Sequence, residues 1–333
     1  MNKKLFSCLV SLLLFFGPME TFAAGPEIIE GAKKEGVLML YTSMNTPDVN
    51  AVFAAFQKKY PFVSPKGYTT RSAALLQRVL TEAQAGMHAT DVIQGNIFTL
   101  YVLAKKGLTA KYVSPEAVAI PKDFRDPGGQ WTAVYQQLNV IAYNSRLTNP
   151  KEAPRSYEDL LNPKWKGKMG LDDKQYVWFD GLLKVMGKEK GMAFMKKLGT
   201  QDIHFSSGQT LLAGLLAAGE FGILINARPE NMEELKRKGA PTEWVAPNPT
   251  TVNILPVSVA ARAPHPNTAR LFVDYVLSEE GQRVLGSQGK TPSRPKIPTT
   301  YSMPDVKLVV NDPAMAERLD DVAAVYKKVF NLP

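Results

Sequence analysis

The sequence predicts an α/β protein assembled from two successive blocks in which strands are followed by helices. Three observations carry this expectation. Short apolar runs such as 37–41 and 140–143 alternate with longer segments whose apolar residues recur every three or four positions. Polar loops rich in capping and turn residues separate each run from the helix that follows it. No fixed repeat or low-complexity tract interrupts the alternation.

The first residues read as a separate unit. Lys3 and Lys4 precede an apolar stretch from Leu9 to Phe16 that only Ser11 breaks, and Gly17-Pro18 ends it. Thr21-Phe22-Ala23 then offers small residues at the positions a signal peptidase reads. The apolar stretch is far short of the roughly 20 residues that cross a bilayer. Residues 1–23 are therefore expected to be a cleaved signal peptide, which makes the mature chain periplasmic. The only cysteine, Cys8, lies inside that segment, so the expected mature protein has no thiol for a disulfide, a metal site or a nucleophile. What remains is long enough for two ordinary domains.

The first block opens on Val37-Leu38-Met39-Leu40-Tyr41, a continuous apolar run of the kind buried on both faces. Thr42 to Asn45 form a polar loop, and Thr46-Pro47-Asp48 starts a helix with a capping hydroxyl and a proline in the first turn. Val49, Val52, Phe53, Phe56 and Tyr60 line one face of it, and Pro61 stops it. An extended segment to Tyr68, the loop Thr69-Thr70-Arg71-Ser72 and a helix bearing Leu75, Leu76, Val79, Leu80 and Ala83 repeat the pattern as far as Gly86. Asp91-Val92-Ile93 is a third strand, followed by Gln94-Gly95-Asn96 and an apolar helix through Leu103.

The second block begins near Leu138 with the strand Val140-Ile141-Ala142-Tyr143. Helices are expected over 156–161, 179–186, 188–198 and 207–218. A strand over 222–225 runs into Asn226-Ala227-Arg228, and Pro229 suits the first position of a helix ending at Gly239. After Pro247 to Pro249 come a strand over 257–261 and a helix over 269–277. In α/β sheets ligands bind where strand tips meet helix N-termini, and both blocks carry polar loops at such places.

Net charge is +9, and the lysines concentrate late in helices, as in Lys58-Lys59, Lys105-Lys106 and Lys196-Lys197, where they offset the negative helix end. Basic residues do not interleave with aromatics, so no nucleic-acid partner is expected, only a mild bias toward anionic ligands. The three histidines, His88, His204 and His265, are far apart, and the glycine-loop, nucleophile-elbow and zinc-helix motifs are missing from the sequence. No enzymatic activity, metal site or cofactor is expected.

Three stretches in order carry a family resemblance: EGVLMLYTS at 35–43, SYEDLLNPKWKGKMG at 156–170 and ARLFVDYVLSEEGQRVLG at 269–286. Through them essentially the whole mature chain resembles the periplasmic solute-binding proteins of ABC importers, in the branch that includes ferric-ion, thiamine, polyamine and aminophosphonate binders. The resemblance implies the two-lobed type II fold, each lobe a mixed sheet flanked by helices with a hinge between. It implies one lobe of residues 24–134 plus 253–299 and another of 135–252 plus 300–333, with crossings near 132–137, 251–255 and 300. The ligand then lies in the cleft, and closure is a hinge motion. The implied partners are a small-molecule solute and an ABC permease with its ATPase at the inner membrane. The implied state is a monomer.

The iron-binding members of the branch use a histidine, a glutamate and two adjacent tyrosines, which fall here at Asn45, Ala73, Arg228 and Pro229. None of the four is present, and an arginine at the centre repels a hard cation that wants anionic oxygen donors. Arg71, just ahead of a helix, and Arg228, at the matching place in the other lobe, suit an anion instead. Ser43, Asn45, Ser72, Gln94, Asn96 and Asn226 are candidate neutral contacts, although capping alone accounts for Ser72 and Asn96. The loop Asp172 to Tyr176 corresponds to the synergistic-anion loop of the iron binders, but Gln175, Tyr176 and Val177 replace its small residues. Lys174, Tyr176 and Trp178 are candidates there, the two aromatics as a cleft wall or stacking surface, with core packing the competing reading for Trp178. The function expected is reception of a small organic anion. Reception of a metal or iron chelate, with Tyr68, Asp173 and Tyr176 as oxygen donors, is one alternative, and a periplasmic sensory module is another.

Overall fold

The structure, a computed structural model, describes residues 25–333; the expected signal segment and Cys8 lie outside the described residues. Helix α1 (Pro26–Glu35) leads into β1 (Val37–Thr42), α2 (Thr46–Lys59), β2 (Ser64–Thr69), α3 (Ser72–Gln84), β3 (Val92–Gln94) and α4 (Ile97–Lys105). Then come β4 (Thr132–Leu138), β5 (Val140–Asn144), β6 (Met169–Asp172), α5 (Tyr176–Met186), α6 (Lys188–Leu198), β7 (His204–Ser206), α7 (Gln209–Ala218), β8 (Ile223–Ala227), α8 (Pro229–Arg237) and β9 (Thr242–Val245). The remainder holds β10 (Thr250–Val259), α9 (Pro266–Leu277), α10 (Glu279–Ser287), β11 (Thr291–Pro292), β12 (Leu308–Val310) and α11 (Leu319–Phe330).

These strands make two mixed sheets, as the sequence predicts. One has seven strands in the order β11-β4-β10-β3-β1-β2, with β12 added along β10; the other has five, β7-β6-β8-β5-β9. The apolar run of β1 is buried on both faces: Leu38 and Leu40 pack with Phe56 and Phe272, while Tyr41 packs with Leu75 and Ile93. In the second sheet Ile141, Leu171 and Ile225 pack with Phe179 and Tyr326. Helices thus cover the sheets, and the strand tips are left for polar loops.

The chain passes between the sheets through β4, Asn139 and β5, and returns with β10. Asn139 is fully buried and ties the passage together. Its backbone N–H and its amide both donate to Thr251 O, at 3.0 and 3.1 Å, and the amide also donates to Thr251 Oγ1 at 2.8 Å. A further passage follows β12, where Asn311 N donates to Val252 O at 3.2 Å before α11 packs beside α5 and α6.

Two elements differ from expectation. The helix expected over 156–161 is only a 3-10 turn, Glu158–Leu161, because Pro154 and Pro163 bracket too short a segment. The strand expected over 257–261 runs instead from Thr250 to Val259, through Pro256. Its pairing with β4 shifts register between Leu255 and Pro256, and such a bulge is where a sheet accepts a residue that cannot donate to the ladder.

Candidate ligand-binding cleft

Register builds the first wall. Thr42 of β1 pairs with Thr69 of β2 and with Gln94 of β3, so three parallel strands end level and their loops lie side by side. Ser43 N donates to Gln94 O at 3.1 Å, and Asn96 N donates to Ser72 Oγ at 3.3 Å. Thr42 Oγ1 donates to Gln94 Oε1 at 2.5 Å. Asn45 and Asn96 cap α2 and α4, accepting from Asp48 N and Thr99 N at 3.0 and 2.9 Å. Arg71 takes the N-cap position of α3, exposed and without a side-chain hydrogen bond among the described residues.

The second wall repeats the arrangement. Asp172 of β6 pairs with Ser206 of β7, and the β6–β8 register carried forward brings Asn226 level with Asp172. Asp172 holds the tips together by accepting from Lys174 N at 2.9 Å and from Gly208 N at 3.0 Å. Arg228, at the N-cap of α8, turns toward the passage between the sheets: Nη1 donates to Leu138 O at 3.2 Å and to Asn139 Oδ1 at 2.7 Å. Burial pulls its guanidinium below the usual arginine range, opposed by the charges of Glu230 and Asp172, and it stays a cation.

The two walls meet around β4. The Tyr135 hydroxyl lies in the field of Asp48 from the first wall and of Glu230 from the second, and beside the Gln94 amide. Burial pushes that hydroxyl well above the usual tyrosine range. Glu230 in turn feels Arg228 and Lys290, and Lys290 Nζ sits 2.7 Å from Asp48 Oδ2. Burial raises the Glu230 carboxyl against those two cations.

Buried polar atoms in proteins nearly always have hydrogen-bond partners. Here Ser43 Oγ, Gln94 Nε2, Gln136 Oε1, both amide atoms of Asn226 and Glu230 Oε2 are buried without one among the described residues. Ser43, Gln94 and Asn226 sit at strand tips, Gln136 lies on β4 between the sheets and Glu230 is in the first turn of α8, while other unpartnered buried atoms, such as Tyr275 Oη, lie elsewhere. A separate hollow of about 250 Å³ at the opposite strand ends, lined by Glu82, His88, Lys106 and Arg262 among others, contains none of these atoms.

The residues read from sequence therefore divide. Ser43, Ser72, Gln94 and Asn96 come together at the first wall, while Asn226 and Arg228 share the second. Asn45 caps a helix, and Lys174 stands exposed on its turn. Tyr176 leans edge-on against Tyr326, ring centres 5.3 Å apart. Trp178 is a correction. It is buried in the core, its indole N–H donating to Tyr157 Oη at 3.4 Å, so it offers no stacking face to a solute. Asp48, Gln136, Glu230 and Lys290 were not anticipated; the nearest signal was Glu230, two residues after Arg228 in the first turn of α8.

The positions corresponding to iron ligands hold Asn45, Ala73, Arg228 and Pro229. Among the described residues no group of three or more His, Cys, Asp or Glu side chains is placed to hold a metal ion.

Known proteins share this architecture. The chain is 27% identical over 310 residues to an uncharacterized protein of Haemophilus influenzae, covering 87% of this chain and 88% of that one. It is 24% identical over 230 residues to iron uptake protein A1 of Synechocystis, covering 64% and 63%. A periplasmic binding protein of Actinobacillus pleuropneumoniae, solved with fructose 6-phosphate bound, superimposes with a TM-score of 0.71 at 23% identity, over 90% of this chain and 100% of that one. Relatives with a named function are thus matched over less than two thirds of their length. The model of the bacterial extracellular solute-binding protein family matches residues 92–321, most of the described chain and both sheets, and the chain belongs to that family.

Proposed function

We propose that the protein is the periplasmic receptor of an ABC importer, closing around a small organic solute between its two walls and presenting it to a membrane permease with its ATPase. The lobes are taken as 24–134 with 253–299 and 135–252 with 300–333, acting as a monomer without catalysis. The observation that carries the reading is the set of unpartnered buried polar atoms contributed by both walls and by the strand between them. Leaving each such group unpaired costs about 1–3 kcal/mol, and a solute bonded to all of them removes the cost only when the lobes are together. Arg71 and the uncommitted Nε and Nη2 of Arg228 favour an anionic part on that solute. Family membership and the periplasmic relatives support the setting.

A second reading, an iron chelate as cargo, draws on relatives named for iron uptake. Of its oxygen donors, Asp173 accepts from Ser207 Oγ at 2.7 Å, while the Arg78 guanidinium lies over the Tyr68 ring at 3.9 Å. Native mass spectrometry of freshly purified protein separates the two. A retained organic mass, displaced by a compound that raises the melting temperature, is expected. Iron that survives dialysis without such a mass overturns the organic-solute reading.

A further inference from the structure

Glu317 and Arg318 are adjacent residues of opposite charge that reach opposite ways. They end the 3-10 turn Pro313–Arg318, which runs directly into α11. Met315 of the turn is fully buried in the core of the second sheet, and α11 packs beside α5 and α6. Arg318 fastens the turn on that side: Nη1 and Nη2 donate to Asp180 of α5 at 2.6 and 3.0 Å, and Nη2 also donates to Asp312 at 3.5 Å. Glu317 faces the other way, toward α4, the helix that follows the strand tip at 94–96 and packs on β10 and α3. Its Oε1 accepts from Tyr101 Oη at 2.7 Å and lies 3.4 Å from Lys105 Nζ.

Helical spacing puts Phe98, Tyr101 and Lys105 on one stripe of α4. Phe98 packs against the cluster that holds Ile93 and Leu100 and also against the one that holds Met315 and Tyr326. Beyond it the stripe turns polar. The two sides of the turn differ in exposure. The Asp180 carboxylate is only 14% exposed and meets both nitrogens of Arg318, whereas Lys105 and Glu317 are 63% and 59% exposed. A forked, half-covered pair holds its geometry, while an open one exchanges readily with water and salt. The Arg318 side thus stays with the second wall, and the Glu317 side is the one that lets go. Asp312, the other charge facing Glu317, is offset by Arg318.

Resting on the receptor reading above and its lobes, we propose that the segment 313–318 is an electrostatic strap between the lobes. Glu317 is its positioning residue, and through Tyr101 and Lys105 it holds the empty receptor near the arrangement seen here. The strap joins α4, which starts at the first wall, to α5, which starts at the second, so it responds to the angle between the walls. Its weakness suits the task. A receptor has to give up its solute, so a contact that biases the walls together must break at little cost. An exposed pair shifts the ratio of near to open forms by roughly two- to five-fold and loses that bias as salt rises. The strap shares no residue with the candidate cargo contacts, so it acts on the angle and not on recognition.

The test is pulsed electron double resonance between spin labels on two introduced cysteines, Lys66→Cys in β2 and Lys190→Cys in α6, both exposed positions. The protein is refolded from denaturant and dialysed free of solute. At about 50 mM salt this parent is expected to give one narrow distance, and at about 500 mM a longer and broader one. Glu317→Gln is expected to give the broad distribution at both, its open population at low salt raised roughly two- to five-fold. Glu152→Gln, which removes an exposed pair with Lys164 elsewhere on the second lobe, is expected to behave as the parent. Exchanging the charges, Lys105→Glu with Glu317→Lys, is expected to restore the narrow distance at low salt, which a variant that merely folds badly would not do. A parent-like distance in Glu317→Gln at low salt, or an exchanged pair as broad as that variant, overturns the inference and leaves the receptor reading standing. Equal opening by Glu152→Gln also overturns it. The receptor reading falls separately, when native mass spectrometry finds no small molecule on the fresh protein.

Discussion

Arg71 and Arg228, the two arginines of the proposed cleft, differ in what they bond. Arg71 is exposed at a helix start, where a cation opposes the dipole and has no local partner. Arg71→Ala is therefore expected to leave the melting temperature of the empty protein nearly unchanged. Affinity for an anionic cargo should fall roughly 10- to 150-fold, read by calorimetry. Arg228 is buried and bonded to the passage between the sheets. Removing it orphans Asn139 Oδ1 and the Leu138 carbonyl, so Arg228→Ala should lower unfolding free energy by about 1.5–3 kcal/mol in a denaturant titration. An unchanged midpoint would mean that water replaces the guanidinium without cost. Residue types at strand tips singled out Ser43, Gln94 and Asn226, which carry buried atoms without partners among the described residues. They were not enough to separate a capping asparagine such as Asn45 from a bare one such as Asn226, because both read as polar residues before a helix.

At the scale of elements, long-range caps hold the first wall in place. Glu35 ends α1 and reaches the start of α9, accepting from Asn267 N at 3.1 Å, Thr268 N at 2.8 Å, Asn267 Nδ2 at 2.7 Å and Thr268 Oγ1 at 3.0 Å. Burial pushes its carboxyl upward, but the hydrogen bonds from Thr268 and Asn267 outweigh that and hold it below its ordinary value of 4.5. A depressed folded-state value stabilises the fold above about pH 4.5 and loses that contribution as pH falls through the lower folded value. Glu35→Gln should thus cost about 1–2 kcal/mol at pH 7 and progressively less at pH 3, measured by chemical denaturation at both. A constant difference would sink the capping account. Periodicity read α2, α3, α6 and α9 well because their apolar faces repeat regularly. It missed α1, β4, β7, β9, β11, β12 and α11; two- to four-residue strands have no period to detect, and α11 matters through its packing on α5 and α6.

For the whole molecule, the passages between the sheets decide what closure can do. Asn139 and Asn311 bond β10 from both sides, at Thr251 and Val252, which makes this the expected pivot of the proposed closure. Saturating cargo is expected to shrink the radius of gyration in small-angle scattering. At about a hundredfold excess over Kd it should stabilise the fold by about 2.7 kcal/mol, seen as a raised melting temperature. A melting shift without compaction would keep binding and discard hinge closure.

By itself the sequence determined the α/β class, the two blocks, the family and the polar character of the strand tips, because these follow from local periodicity, turn chemistry and quoted stretches of chain. Only the tertiary structure decided which of those polar groups lack partners. Hydrogen-bond satisfaction is a property of neighbours far apart in the chain: Arg228 is bonded because Asn139 comes to it, Trp178 is core because Tyr157 covers it, and both amide atoms of Asn226 stay bare because no described residue reaches them.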